Sequence, residues 1–242
     1  EVRELLRQDP TLLGALLDEI HEEDLADLLK LLDDDEAMLL LEQLTVDDAA
    51  DIFERLDEDE QAEFVETFGA ERLAAIVSEM APDDRTDLIE ALPEKIGDQL
   101  LGDLDPEAAA EVEVLIGWPE DTAGSMMTTE LVRLSSSLTI DQVIVRVRSV
   151  DEEAETIYYV YVVDGKGRLT GVASLRDILL APGGAVLSEV MYEQVHSVPP
   201  DMDQEEVARL LRKYDFTAMP VVDGGGRLLG LITVDDVMDV VE

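Results

Sequence analysis

The sequence predicts an α+β chain: an all-α, right-handed superhelix of short helices over residues 1–118, then two tandem βαββα units. Three observations carry this reading. Apolar residues recur every 12 positions through the first half. The segment VVDGKGRLTGVASLRD at residues 162–177 is written again as VVDGGGRLLGLITVDD at residues 221–236, a constant offset of 59. Near Met127 the spacing changes from helical periodicity to alternation and short β-branched runs.

The superhelix follows from the first pattern. Ile20, Leu32, Leu44, Leu56, Phe68, Met80, Leu92, Leu104 and Ile116 mark the period. Eight positions after each of the first eight markers stands a further apolar residue: Leu28, Leu40, Ile52, Phe64, Ile76, Leu88, Leu100 and Val112. A 12-residue unit holds about two helical turns and a corner. So short a helix has no independent stability, and the units must stack into a solenoid. Pro82, Pro93 and Pro106 fall just past their markers, at corner or first-turn positions where proline is tolerated. At 100° per residue the third and seventh positions of each unit point away from the apolar stripe, which places Asp51, Asp83 and Asp87 outward. Asp83 and Asp87 form a like-charged i,i+4 pair, a cost in isolation that a nearby cation would remove. A solvated acidic face is the other reading.

A junction at residues 119–126 leads to a first βαββα unit at 127–186 and a second at 187–242. Thr156–Val163 and Ala218–Val222 read as strands; the DGKG and DGGG segments at 164–167 and 223–226 read as hairpin turns. A second strand follows each turn, at 169–173 and 228–232. Ser174 and Thr233 then fit helix N-caps, with Asp177 and Asp236 three residues on. Further helices at 140–149 and 204–214 complete the plan. A small unit written twice implies a pseudo-twofold pair with a ligand cleft between the copies. Asp177 and Asp236 accordingly have two readings, as caps or as carboxylates that accept hydrogen bonds from a ribose diol. Tyr158, Tyr159 and Phe216 fit either core positions or an adenine-stacking role, and Arg176 either a phosphate contact or the surface.

Composition narrows the function. The 242 residues carry 59 Asp+Glu against 17 Lys+Arg, a formal net charge of −42. Residues 1–130 hold 40 of those acids and only 7 of the basic residues. Such a field repels phosphate backbones, excludes nucleic acid and attracts cations; a solubility or salt-adaptation surface is the plainer alternative. The absence of cysteine, and the wide separation of His21 and His196, argue against soft and borderline metals. No apolar run is long enough to span a bilayer. The opening at Glu1 and the helical pattern running into Glu242 suggest a piece of a longer protein. A nucleophile elbow, a Walker loop and a dinucleotide fingerprint are all missing, so the chain is not read as an enzyme.

Three motifs carry a resemblance: PEDTAGSMMT at 119–128, ETIYYVYVVD at 155–164, and DQEEVAR at 203–209 followed by YDF at 214–216. The duplicated scaffold resembles a tandem CBS domain. The whole chain resembles the cytosolic region of MgtE-type magnesium channels and transporters, an acidic helical N domain plus a CBS pair. That resemblance implies a Mg²⁺ sensor at the cytoplasmic face of the cell membrane. Several weakly held Mg²⁺ ions would bridge carboxylates of the two domains and favour a closed pore. It further implies a homodimer through the CBS domains, a transmembrane pore domain as partner, and ATP as a second ligand. Carried over by position, the metal ligands would be Asp51, Asp83, Asp87, Asp203, Glu205, Asp215, Asp236 and Asp239, with Ser125 as a backbone-carbonyl site. Ser125 and Arg212 depart from the family's small residues at two such carbonyl positions. The nucleotide residues would be Tyr159, Arg176, Asp177 and Phe216. The competing readings are an adenine-nucleotide-sensing CBS module with an inert acidic coat, and an acidic helical scaffold for a basic protein.

Overall fold

The structure is a computed structural model that describes residues 20–149 and 156–239. It divides into two compact units, Glu1–Val114 and Leu115–Glu242. The expected strand motif's first residue, Glu155, and the chain end at 240–242 lie outside the described residues.

In the first unit the described helices are α1 (Glu22–Leu29), α2 (Asp34–Leu41), α3 (Val46–Glu54), α4 (Glu58–Phe68), α5 (Ala70–Glu79), α6 (Pro82–Ala91), α7 (Glu94–Asp103) and α8 (Pro106–Leu115). Each corner lies one residue past a marker. His21, Asp33 and Thr45 accept there from the backbone N–H groups of Glu23, Glu36 and Asp48 at 3.3, 3.0 and 3.1 Å. Asp57 instead donates its N–H to Glu60 at 3.2 Å. These contacts satisfy donors that a helix N-terminus leaves open, which is why a 12-residue unit can turn so often. Helices pack on the next but one: α1 on α3, α3 on α5, α5 on α7, and α4 on α6. The 12-residue sequence period therefore becomes a two-row stack with a 24-residue structural period.

The core follows the predicted stripe. Leu40, Ile52, Leu56, Ile76, Met80, Leu88, Leu92, Leu100, Leu104 and Val112 are buried in one continuous cluster. Ile20, Leu32, Leu44, Phe64 and Phe68 are half-buried against it, whereas the last marker, Ile116, is exposed. Two polar side chains penetrate this core at one repeat position, the fifth after a marker. Gln61 Nε2 donates to the Phe53 and Leu56 carbonyls at 2.9 and 3.1 Å. Arg85, 2% exposed, donates to the carbonyls of Val77 (2.9 Å), Ser78 (2.8 Å), Met80 and Ala108 (3.3 Å), and to Glu111 at 3.1 Å. Each thus serves carbonyls at the end of the preceding helix, to which no further turn of N–H groups donates.

The second unit contains the duplicated fold. In the first copy β1 (Leu131–Ser135) lies parallel to β2 (Thr156–Val163), which pairs antiparallel with β3 (Leu169–Ser174). Helix α9 (Ile140–Val147) follows β1, and α10 (Leu175–Leu180) follows β3. In the second copy α11 (Gln204–Tyr214) leads to the antiparallel pair β4 (Ala218–Val222) and β5 (Leu228–Thr233), then α12 (Val234–Asp239). Its first strand shrinks to one parallel bridge between Val198 and Val221.

The copies meet through reciprocal bonds that obey the 59-residue offset. Leu169 N–H donates to the Gly226 carbonyl at 2.9 Å, and Leu228 N–H donates to that of Gly167 at 3.0 Å. Tyr161, Ala218, Leu228 and Leu231 form a buried apolar cluster, with Tyr159 and Val172 packed against it. The connections are crossed. Thr128, leading into the first copy, exchanges backbone bonds with Leu231 of the second at 2.9 and 3.0 Å, while Tyr192 exchanges them with Val172 of the first at 2.8 and 3.0 Å. Junction residues Ala123 and Gly124 donate to the Met202 and Pro200 carbonyls, both at 2.8 Å. The junction, adjacent in sequence to the first copy, thus packs into the core of the second with Met127, Val207 and Met219. Gly171 and Gly230 lie under the two crossings. A Cβ on Gly230 would fall 2.4 Å from the Thr128 carbonyl oxygen, and one on Gly171 would fall 2.6 Å from Met191 Sδ.

Two outcomes are expected in denaturant or thermal unfolding of purified protein. Arg85→Met should destabilise the helical unit by about 3–5 kcal/mol, because Glu111 and four carbonyls lose their donor; an effect below about 1 kcal/mol would show that the guanidinium is incidental. Gly230→Ala should cost about 1–3 kcal/mol, since backbone rather than a yielding side chain opposes the added carbon.

Candidate cation and nucleotide sites

In the helical unit Asp51 lies on α3 with exposed surface. Partial burial, then the neighbouring Glu22, push its carboxyl above the ordinary range, and Arg55 acts in the opposite direction. Asp83 and Asp87 lie one turn apart on α6. Here the outward placement of Asp83 is corrected: it is 6% exposed, and Asp87 is half-buried. Helix α6 is buried around much of its circumference, through Pro82, Asp83, Arg85, Thr86, Leu88 and Ile89. A helical wheel gives a residue's angle from the apolar stripe, but it does not say how much of the remaining surface tertiary packing covers.

Sequence reasoning missed Glu54. Standing three residues after Asp51 on α3, it accepts the Ala81 N–H at 2.5 Å, at the start of α6. Burial raises its carboxyl to about 7, with Asp51 adding to the rise, while the Ala81 bond, Arg55 and Arg85 oppose it. A carboxyl with a raised value in the folded state favours folding when protonated. That stabilisation is complete below the ordinary value of 4.5 and is lost as pH climbs through about 7.

In the second unit the candidates separate into groups. Asp203 caps α11, accepting from Glu205 N–H at 3.0 Å, and the Glu205 carboxylate pairs with Arg209 at 2.5 Å. Asp215 closes the other end of α11 in the left-handed conformation at φ 55°, which an aspartate tolerates better than most residues. At 1.5 Å per residue, Glu205 and Asp215 stand roughly 15 Å apart along the axis, so one ion cannot serve both. Asp236 is half-buried at the start of α12, where Thr233 N–H and Oγ1 donate to its Oδ2 at 3.1 and 2.7 Å. Asp239 ends that helix, and its side chain lies outside the described residues. Ser125 sits in the junction turn, where its hydroxyl donates to the Thr122 carbonyl at 3.0 Å. Arg212 is exposed near the end of α11.

Three nucleotide candidates gather at one end of the first copy. Tyr159 on β2 is in register with Ser174 on β3, and Arg176 and Asp177 open α10 immediately beyond. Ser174 donates to Asp177 Oδ2 at 2.6 Å and accepts the Asp177 N–H at 3.1 Å. The cap reading of Asp177 and Asp236 is thus realised in both copies. Phe216 belongs to another cluster, tilted against His196 at 5.5 Å and stacked with Tyr214 at 5.5 Å.

Among the described residues no three His, Asp or Glu side chains converge as a preformed metal cage. What the structure offers are oxygen donors in ones and twos, such as Asp83 with Asp87. This donor chemistry fits a hard, hydrated cation better than a dehydrated one. None of the described helices is long and apolar enough to cross a membrane.

Comparison with known proteins identifies the lineage. The MgtE intracellular N domain family matches residues 20–121, and the CBS domain family matches residues 123–184 and 187–242. The magnesium transporter MgtE of Thermus thermophilus is 52% identical over 139 residues, 57% of this chain and 31% of that protein. The MgtE of Enterococcus faecalis is 42% identical over 136 residues, 56% of this chain and 30% of that one. The matched segments thus span under a third of these relatives' length. Among solved structures, the cytosolic domain of the Mg²⁺ channel MgtE in complex with ATP superposes with a TM-score of 0.90 at 42% identity, over 99% of this chain and 98% of that one. The soluble part of a magnesium transporter gives 0.95 at 33% identity, over 99% and 95%. Both halves of the chain, in the same order and over nearly full length, therefore assign it to one family: the chain belongs to the MgtE family, as an MgtE intracellular N domain followed by a pair of CBS domains.

Proposed function

We propose that this chain is the cytosolic Mg²⁺-sensing region of a magnesium channel or transporter at the cytoplasmic face of the cell membrane. The observation that carries this is charge density. Residues 1–130 hold 40 acids against 7 basic residues, and Asp51, Asp83 and Asp87 occupy only two helices, α3 and α6. Mg²⁺ keeps most of its waters and takes one or two carboxylates per site. Asp51, Asp83 and Asp87 on the helical unit, and Asp203, Glu205, Asp215, Asp236 and Asp239 on the CBS pair, supply ligands of that kind, with the Ser125 carbonyl as a further oxygen. Ions shared by the two sets favour a state in which the units close on each other, and loss of the ions restores carboxylate repulsion. Each ion adds differential affinity for the closed state, so several weak sites switch steeply. The pore domain on which this acts is the proposed partner.

A homodimer through the CBS pair is part of the same reading. It draws support from α9 and α10, which pack together yet leave Val145, Leu179 and Leu180 65%, 61% and 74% exposed. ATP is the second ligand, supported by the convergence of Tyr159, Arg176 and Asp177 and by the ATP complex of the related cytosolic domain. Phe216 would supply an aromatic face. The net negative field implies that ATP enters with Mg²⁺ rather than alone.

Two experiments test these assignments. MgCl₂ titration to roughly millimolar levels, followed by limited proteolysis or small-angle scattering, should compact and protect the chain. Asp83→Asn and Asp236→Asn should each raise the protective midpoint several-fold, with a double variant less than additive if both act on one closed state. A wild-type chain indifferent to Mg²⁺ but responsive to ATP would transfer the assignment to nucleotide sensing. ATP titration should show binding that Asp177→Ala weakens about tenfold, the loss of a hydrogen-bonded charged group; unchanged affinity would remove Asp177 from the site.

A further inference from the structure

Each of the first three described helices of the solenoid is capped by its own corner side chain: His21, Asp33 and Thr45 serve α1, α2 and α3. At α6 the same repeat position is Ala81, which has no such side chain, and Pro82 follows it. The Ala81 N–H is instead accepted at 2.5 Å by Glu54, 27 residues earlier on α3. Within a single helix this is the job of the glutamate three residues past the cap in a capping box; here the carboxylate comes from another helix. The bond therefore joins the two helices that bear Asp51, Asp83 and Asp87. Asp51 stands three residues before Glu54, and Asp83 two residues after Ala81. A negative group at a helix N-terminus is also favoured by the helix dipole.

We propose that Glu54 is a positioning residue that ties α3 to the N-terminus of α6 and so sets the separation of Asp51 from Asp83 and Asp87. This rests on the Mg²⁺-sensing reading and adds a residue to it that is not itself a ligand. The charged groups acting on Glu54 are Asp51 on its own helix, Arg55 just beyond that helix, and Arg85 on α6. Burial holds the carboxyl at about 7, so a cation bound nearby favours its ionised form and releases a proton. Mg²⁺ affinity then rises as pH increases through neutrality.

The test compares wild type, Glu54→Gln and Glu54→Ala in the 242-residue chain, with MgCl₂ as probe. The readouts are the Mg²⁺ midpoint for protease protection below and above neutrality, and thermal stability. Glu54→Ala should raise the midpoint about three- to tenfold, the worth of a lost charge-assisted hydrogen bond. Glu54→Gln retains an acceptor and should recover part of that loss, while abolishing the change in midpoint across neutrality. Where the alanine variant does not fold, the glutamine variant's missing pH step decides the matter. Variants that melt lower but keep the wild-type midpoint and pH step would make Glu54 merely structural and overturn the proposal. A wild-type chain unresponsive to Mg²⁺ would overturn the sensing reading and this one with it.

Discussion

Neither building block of this chain can bury its own apolar face. A two-turn helix pays for nucleation without enough hydrogen bonds to recover it, and sheets of only three and two strands, one in each copy, leave an apolar face that must be covered. Everything else follows from completing each block with another. In the helical unit completion runs along the stack, next-but-one helices covering one another. In the CBS pair it runs across the pseudo-twofold, through the reciprocal bonds of Leu169 with Gly226 and Leu228 with Gly167. The crossed segments at Thr128 and Tyr192 extend the same logic, since each lays an added backbone on the sheet of the other copy. The small residues at Gly171 and Gly230 are the steric consequence.

Charge is the second constraint. With so few basic residues in the helical unit, surface pairs among the described residues join elements distant in sequence: Arg55 with Glu22, Lys30 with Glu60, Arg72 with Glu42. Such surface pairs are each worth little. Arg85 differs because it is buried and multiply bonded, so its removal would expose carbonyls rather than sever one ion pair. The uncompensated carboxylates leave a self-repelling surface. A proteolytic or scattering response to Mg²⁺ would be the direct expression of that stored repulsion, which is why the proposed sensor needs no deep metal cage.

The local features proved legible. The strands at Thr156–Val163 and Ala218–Val222, the hairpin turns, the Ser174 and Thr233 caps and the stripe residues depend on neighbours a few positions away, and they are read from spacing. One helix ends earlier than its pattern, at Val147 rather than 149. Gln61 and Arg85 were readable in principle: both occupy a repeat position held elsewhere by Leu25, Ala37, Ala49, Leu73, Gly97 and Ala109. A polar residue in a small or apolar register is a signal for a buried donor. Glu54 carried no such mark, because its partner is a backbone N–H whose position depends on where α6 is placed.

By itself the sequence determined the two periodicities, the sign and concentration of charge, and the residue types able to hold a hard cation or cap a helix. These are properties of single segments, set by backbone geometry and side-chain chemistry. Tertiary structure decided that the junction packs into the second copy, that Asp83 is buried, that Asp236 and Asp177 are tied to their caps, and that Glu54 closes onto Ala81. Each of those depends on contacts between segments far apart in the chain. An apolar stripe specifies that a face must be covered; only packing specifies what covers it.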